Sequence, residues 1–339
     1  MKTNKLIKSV IEKYKKLNPE NHGVLLGVSG GVDSVALAFC LSKVCDNLCL
    51  GHITHRGMRD DETLDKETEL VRDLAKKLNV SFREFEFVID KKGNEEGNAR
   101  EQRYKALAGM MYGDVPQEGW FNPDCLMLAT AHHADDQLET LIMKLVRGSG
   151  ITGMTGMKES REVPYAEDQR LTLIRPMLGI TKEDCYEICV ENGLEWMEDV
   201  TNTEDDKDRN FIRLNVIDAL KKVNPKASEH ASGFASIMQS TEQMLNDKII
   251  RLPSSMWGNK VSRVSADALR LEQDVVICEW IRHACSYVPR SGNYKVDKIS
   301  KAMMDQVVDA VRKRKTVSFD WPVRTIEVCP EHLTIKSAE

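Results

Sequence analysis

Two stretches of this chain carry residue types that chemistry could use. The first is Val24-Leu25-Leu26-Gly27-Val28-Ser29-Gly30-Gly31-Val32-Asp33-Ser34. Val24 to Val28 reads as a buried strand, Ser29-Gly30-Gly31 as a sharp turn, and Val35 to Cys45 as a helix. A strand, a glycine turn and a helix N-terminus make an anion site, because free N–H groups and the helix dipole both point at the turn. Glycine permits positive φ and lets a phosphate approach the backbone closely. Asp33 would repel that phosphate unless a divalent cation lay between them, so Asp33 is the candidate metal ligand. No Lys follows the turn, which excludes the G-x-x-x-x-G-K-S/T loop, and the stretch is not G-x-G-x-x-G either. The bland alternative is an ordinary strand–turn–helix corner.

The second stretch is His132-His133-Ala134-Asp135-Asp136-Gln137-Leu138-Glu139-Thr140. On a helix, positions 132, 136 and 139 fall within about 60° of one another. Leu138, Leu141, Ile142 and Leu145 take the opposite side, facing the core. His132, Asp136 and Glu139 can therefore project together. Two carboxylates and an imidazole can bind a cation, hold an ammonium group or move protons. Carboxylates that merely favour the helix dipole would account for Asp135 or Asp136 but not for the histidines. A transition-metal hydrolase site is a further alternative.

Three more polar stretches add cations. Arg100, Arg103 and Tyr104 lie one helical turn apart, Arg147 precedes Gly148-Ser149-Gly150, and Arg209 lies in Asp208-Arg209-Asn210-Phe211-Ile212-Arg213. Arginines beside a nucleotide neutralise leaving pyrophosphate or hold nucleic-acid phosphates. Each alone is equally readable as a surface salt bridge.

The elements that must position these residues alternate. Leu48–Thr54 reads as a second strand, Glu62–Leu78 as a helix stopped by Asn79, and Val80–Val88 as a third strand. A helix follows from about Ala99, then a surface excursion over 112–124. Cys125–Ala131 reads as a fourth strand and Asp135–Val146 as a helix. Such alternation implies βαβ units, a parallel sheet and a ligand at the strands' carboxyl ends, where both candidate stretches begin. Beyond a glycine-rich loop, Gly148–Gly156, the charged stretch Lys158–Gln169 reads as a mobile segment. Leu171–Ile174 reads as a short strand, and a helix capped by Thr181 ends at Gly193. A polar loop, Glu198–Asn210, leads into a helix over Phe211–Lys222. From about 223 the alternation stops. Helical stretches Ala231–Ile249, Ala266–Ala284 and Val296–Arg312 are followed by short strand-like pieces at 316–319, 324–328 and 333–336. The fold class is α/β: a nucleotide-binding domain over 1–222, then a smaller, mainly helical domain with a small terminal β element over 223–339.

A chain of 339 residues, 41% hydrophobic and 30% charged, is ordinary for a globular protein. No apolar run approaches the ~18 residues of a membrane span. The Lys-rich start, Met1–Lys16, is no signal peptide. The nine cysteines form no Cys-x-x-Cys pair, and Cys185, Ile188 and Cys189 share one helix stripe, which points to packing in a reducing, cytoplasmic setting. Residues 1–220 hold 29 Lys/Arg against 39 Asp/Glu, net −10, whereas residues 221–339 hold 19 against 14, net +5. The basic portion could face a polyanion.

Ser29-Gly30-Gly31-Val32-Asp33-Ser34 resembles the pyrophosphate-binding loop of the PP-loop ATP pyrophosphatases, which split ATP into AMP and pyrophosphate. The wider succession is similar to the tRNA(Ile)-lysidine synthetase family: Ser29–Ser34, His52–Arg59, Ala99–Tyr104, Ala129–Thr140, Arg147–Gly156, Arg175-Pro176, Trp196–Asn202 and Arg209–Arg213, in order over about 20–220. The chain departs from the family at Thr54, where Asn or Asp is usual, and at Arg56, an extra residue before Gly57-Met58-Arg59. Longer family members carry a third domain, for which this chain has no room; a short form is expected.

The resemblance implies a Rossmann-like PP-loop fold and a ligase forming a carbon–nitrogen bond. ATP adenylates the C2 oxygen of the wobble cytidine in the CAU anticodon of an isoleucine tRNA. Free L-lysine then displaces AMP to give lysidine. By resemblance, Ser29, Gly30, Gly31, Val32, Asp33 and Ser34 hold ATP's phosphates with Mg²⁺ on Asp33, and His52, Arg103 and Arg147 also contact the nucleotide. His132, Asp136 and Glu139 sit beside the reacting centre, with Asp136 and Glu139 orienting the lysine ammonium, and Arg100 and Arg209 stabilise charge. The basic second domain and the run Arg312-Lys313-Arg314-Lys315 are candidates for tRNA backbone contact, the run being equally readable as a solvated helix end, and a homodimer is compatible with all of this. The competing readings are a tRNA thiolase on the same fold, which the cysteine spacing disfavours, and a non-catalytic nucleotide-binding scaffold, which would not need Asp33 or the His132/Asp136/Glu139 face.

Overall fold

Alternation along the first strand decides the layering around the candidate site. Val24, Leu26 and Val28 pack into one buried cluster and Leu25 into another, on the opposite face. The same switch recurs in the second strand, where Leu48 and Leu50 join the first cluster and Cys49 the second. The computed structural model describes residues 2–56, 61–88, 107, 127–166, 169–197, 207–257, 261–287, 300–321 and 324–337. They divide into two units, Met1–Met238 and Gln239–Glu339.

The first unit is built on six strands: β1 (Val24–Gly27), β2 (Leu48–Arg56), β3 (Ser81–Val88), β4 (Met127–Ala129), β5 (Ser160–Ala166) and β6 (Gln169–Ile174). They lie in the order β3-β2-β1-β4-β6-β5. Every pair is parallel except β5–β6, which is antiparallel. The chain builds outward from β1 to β3, then returns to place β4 on the other side of β1. That reversal opens a crevice at the carboxyl ends of β1 and β4, where open α/β sheets bind ligands. On one face lie α1 (Lys2–Leu17), α2 (Val32–Ser42) and α5 (Lys182–Glu191), sealed by Val10, Tyr14, Leu37, Leu41, Cys185 and Ile188. The opposite face carries Leu25, Cys49, Leu107, Leu128, Leu171 and Leu173. Helix α3 (Asp61–Leu78) stops at Asn79, whose φ of 54° provides the left-handed stop expected of it.

Two features depart from the sequence reading. Lys158–Gln169 is not simply a mobile charged segment, because Ser160–Ala166 forms edge strand β5, burying Val163 next to Arg161 and Glu162. Charge on a sheet edge is a normal protection and hides the strand from pattern reading. The segment read as one helix over Phe211–Lys222 has three parts: α6 (Lys207–Phe211), a π-helical segment Ile212–Ile217 and α7 (Asp218–Val223). Leu138 and Leu141 of α4 (Ala134–Val146) pack there with Ile212, Ile217, Ala231 and Ala235. Leu145, read as core-facing, is exposed.

In the second unit the terminal β element is a five-stranded antiparallel sheet. β7 (Ser254–Trp257), β8 (Val261–Ser265), β9 (Val317–Trp321), β10 (Arg324–Val328) and β11 (His332–Ser337) take the order β7-β8-β11-β10-β9. Helices Asp274–Tyr287 and Lys301–Arg312 pack on it through residues such as Trp280, Ile281, Val307 and Val311.

Candidate active site

The site assembles where β1 and β4 end. After β1 the chain turns through Ser29 and Gly30, and Gly30 adopts φ 88°, a conformation that favours glycine. Gly31 is the extended N-cap of α2, so Val32, Asp33 and Ser34 form the helix's first turn, earlier than the Val35 start read from the sequence. Ser34 Oγ donates to the Gly31 carbonyl at 2.8 Å, and Ser29 Oγ lies 3.5 Å from Ser34 Oγ. Met197 N–H holds the Gly30 carbonyl at 3.0 Å. Below the turn, His52 Nδ1 meets the Val28 carbonyl at 2.8 Å. A carbonyl only accepts, so Nδ1 carries the proton there. His52 Nε2 is buried without a hydrogen-bond partner among the described residues.

From β4 the chain runs through Thr130 to His133, the extended N-cap of α4. Because the helix begins at Ala134, His132 lies outside it, and its ring bonds Thr130 Oγ1 at 2.9 Å. His133 is the imidazole that faces the glycine turn. Its Nε2 lies 3.5 Å from Asp33 Oδ2 and 3.5 Å from Asp136 Oδ2, and its Nδ1 lies 3.6 Å from Asp135 Oδ2. Burial alone would lower the His133 pKa, but the charges of Asp136, Asp33 and Asp135 outweigh it and hold the ring up at about 9. It is therefore an imidazolium near neutral pH, clasping α2 to α4. Burial would raise Asp136, yet His133, His132 and Arg209 hold it down at about 2. Asp136 Oδ2 also accepts the His133 backbone N–H at 3.0 Å.

Glu139, one turn further along α4, is 1% exposed. Arg209 Nε donates to its Oε2 at 2.9 Å and Arg213 Nε to its Oε1 at 2.8 Å. Asp136 Oδ1 is held more loosely, 3.3 Å from Arg213 and 3.6 Å from Arg209. Asp135 points elsewhere. It accepts from Lys182 N–H at 2.7 Å, Lys221 Nζ at 2.6 Å and Ser228 Oγ, which ties α4 to α5 and to α7.

The sequence-derived candidates thus separate into three groups. Ser29, Gly30, Gly31, Val32, Asp33, Ser34 and His52 meet at the end of β1, and Asp136, Glu139 and Arg209 join them across His133. Arg147 is the exposed C-cap of α4, eleven residues and therefore about 16 Å along the helix from Asp136. Arg175 is 1% exposed and supports the Lys158 carbonyl at 2.7 Å. Arg100, Arg103, the stretch Gly57–Arg59 and the excursion 112–124 lie outside the described residues. Two members of the cluster were not among those candidates: His133, which helical spacing counted from 132 turns away from the site, and Arg213, whose spacing of four from Arg209 is the signal that could have found it.

Asp33 Oδ1 is a buried carboxylate oxygen with no hydrogen-bond partner among the described residues. Such a hard donor beside a glycine turn fits a divalent cation of the Mg²⁺ type. Cysteine chemistry fits less well here. Cys40 on α2 and Cys189 on α5, in the same buried cluster, are pushed by burial to about 12, too high for a reactive thiolate.

Residues 2–220 match the PP-loop domain family of ATP-binding proteins. Among curated relatives, the tRNA(Ile)-lysidine synthase of Bacillus subtilis is 30% identical over 282 residues, covering 79% of this chain and 56% of its own. The enzyme of the same name from Parabacteroides distasonis is 33% identical over 246 residues, 70% of this chain and 50% of its own. The chain spans about half the length of the curated relatives it matches. Among solved structures, the U34-tRNA thiolase of Methanococcus maripaludis superposes with a TM-score of 0.50 at 17% identity, covering 70% of this chain and 80% of that one, a likeness of fold alone.

Proposed function

The chain belongs to the PP-loop domain family, and from that premise we propose that it is a tRNA(Ile)-lysidine synthase. It adenylates the C2 oxygen of the wobble cytidine in a CAU anticodon with ATP, then joins free lysine to that carbon. The observation that carries this is the direct coupling of the glycine turn to a second charged cluster: the half-buried Asp33 meets the buried His133 and Asp136, leading to Glu139, Arg209 and Arg213. A site that only bound a nucleotide would not need the second half. The 30–33% identity to lysidine synthases supports the same reading.

The chemistry divides between the two halves. Cytosine O2 attacks the α-phosphorus and pyrophosphate leaves; the lysine ammonium then loses a proton to solvent, its neutral amine attacks C2, the C2–O bond breaks and AMP leaves. The backbone N–H groups of Gly30, Gly31 and Val32 and the hydroxyls of Ser29 and Ser34 receive the departing pyrophosphate. Asp33 would hold Mg²⁺, which supplies positive charge against the phosphates. Asp136 Oδ1, with only long arginine contacts, has lone pairs to spare for the lysine ammonium. A carboxyl held near 2 is a poor proton acceptor, so Asp136 orients the ammonium rather than deprotonating it. Glu139 fixes Arg209 and Arg213 beside the reacting atoms. The target base must leave its stack to reach this crevice. Arg100 and Arg103 belong to the proposal as phosphate ligands, and residues 223–339 as the tRNA-binding domain. Among the described residues no helix is long and apolar enough to cross a membrane, and the proposed reaction belongs in the cytoplasm with its tRNA.

The test is lysine incorporation with ATP, Mg²⁺, labelled lysine and a CAU-anticodon isoleucine tRNA, with the CAU methionine tRNA as control. ATP-dependent label on the isoleucine tRNA alone is expected. Cleavage of ATP with tRNA but without lysine transfer would leave adenylation and discard lysine as the nucleophile.

A further inference from the structure

A second cluster of metal-ligating side chains lies in the Gln239–Glu339 unit, at the turn joining β10 to β11. Val328 pairs with Leu333, and Cys329 N–H donates to the His332 carbonyl at 2.9 Å, so Pro330-Glu331 is a two-residue loop. Val328 and Leu333 are buried, which turns the next cross-strand pair, Cys329 and His332, onto the other face together. Glu331 follows at the tip. The thiol sulfur, an imidazole nitrogen and a carboxylate oxygen of these three residues all lie within 4.8 Å of one another.

Two observations separate this turn from an ordinary hairpin end. The first is that its backbone is tied down from outside: Arg270 donates to the Pro330 carbonyl at 2.7 Å and Ala266 N–H to the Glu331 carbonyl at 2.9 Å. Proline fixes φ at the same place. The ligand positions are thus pre-organised, and binding need not order a loop. The second is that neither the Glu331 carboxylate nor the His332 ring has a hydrogen bond or ion pair to a described residue, while the Cys329 thiol makes a contact of 3.3 Å to a carbonyl. Arg270, the nearest cation by contact, is paired with Asp267.

We propose that Cys329, Glu331 and His332 bind one zinc-type transition-metal ion, with water in the fourth position. Mixed sulfur, nitrogen and oxygen donors suit zinc rather than magnesium or calcium. With bonds of about 2.0–2.3 Å, tetrahedral ligands stand roughly 3.3–3.8 Å apart. From separations of 4.8 Å or less, the three donors need to close by no more than about 1.0–1.5 Å, within reach of side-chain rotation. The step is a ligand exchange: the thiol proton leaves to solvent as sulfur binds the metal, and a thiolate and a carboxylate together balance the divalent charge.

The experiment uses the full chain, stripped with EDTA and kept reduced, titrated with Co²⁺. One Co²⁺ per chain with thiolate-to-cobalt charge-transfer absorption is expected, bleached by an equivalent of Zn²⁺ and absent in Cys329→Ser. His332→Gln, which leaves the thiol in place, should weaken Co²⁺ binding at least tenfold with an unchanged circular dichroism spectrum. A titration without charge-transfer absorption overturns the proposal. So does absorption that persists in Cys329→Ser, or an affinity that His332→Gln leaves unchanged.

Discussion

At the scale of single residues, His133 sets the electrostatics of the site. Its ring is held at about 9 and Asp136 at about 2 because each stabilises the other's charge. The histidine's folded pKa lies above its unfolded value of about 6.5, so its contribution to stability is complete below about pH 6.5 and is lost as pH rises through about 9. Asp136 is depressed, so its contribution is complete above about pH 4 and is lost as pH falls through about 2. In EDTA, the melting temperature of the wild type should therefore decline toward pH 10, and His133→Asn should remove that decline. A melting difference between the two proteins that stays constant from about pH 6 to 10 would refute the assignment. Glu139 supports a separate test. Both its oxygens are taken by guanidinium groups that are partly exposed, so Glu139→Gln should cost about 1–2 kcal/mol, less than a fully buried pair. The same change in an Arg213→Gln background should cost measurably less, which chemical denaturation in a double-mutant cycle would read.

Elements decide which of these residues meet. His132 and His133 are adjacent and chemically identical; periodicity placed His132 on the face of Asp136 and Glu139 because it assumed helical backbone from 132, and it is His133 whose ring lies beside Asp33. The extended N-cap at His133 redirects both side chains. The glycine turn, by contrast, was legible, since strand, glycines and helix start each carry a local signal. The π-helical segment at 212–217 has no such signal, although it follows Arg209 and contains Arg213. Strand β5 escaped notice because the charges of Arg161 and Glu162 mask the buried Val163, and β7 and β8 because four or five residues give little alternation to read. The loop after α4 shows how an element constrains what composition suggests is loose. Gln137 clasps Met157 twice, through N–H to Oε1 at 2.7 Å and Nε2 to carbonyl at 3.0 Å. Gly156 next door has φ 61°, and a Cβ there would stand 2.6 Å from Gln137 Oε1, whereas a Cβ at Gly148, φ 68°, would meet nothing. Gly148→Ala should therefore cost about 1 kcal/mol of conformational strain, and Gly156→Ala about 2–3 kcal/mol through loss of the clasp as well. Equal costs in urea melts would show that the clasp contributes nothing.

Across the whole chain, charge is divided between an acidic portion and a basic one, and the structure refines which cations are available to a polyanion. The run 312–315 looks like a phosphate-binding patch in sequence. Arg312, however, bonds the Arg270 and Glu272 carbonyls and Asp274, Arg314 pairs with Asp267, and Lys313 and Lys315 both pair with Asp309. Arg312, tied to two backbone carbonyls, serves its own unit, so its removal would be felt as stability before affinity, whereas the exposed pairs of Lys313, Arg314 and Lys315 contribute little and a polyanion would have to compete with their carboxylates. Lys221 is likewise engaged, by Asp135 and Glu183. Lys222 and Lys226 differ: both are exposed, with no ion pair to a described residue. They follow the lysine that anchors α7 to the N-terminal turn of α4, the turn carrying Asp136. A phosphate contact from either would break no internal pair. If tRNA lies across this surface, each such contact contributes about 0.7–0.9 to the slope of log affinity against log salt. Lys222→Glu with Lys226→Glu should then weaken tRNA binding and flatten that slope by between about 1 and 2, with the melting temperature unchanged. An unchanged slope with full tRNA affinity would instead leave these lysines as solvated surface and move the tRNA path to another face.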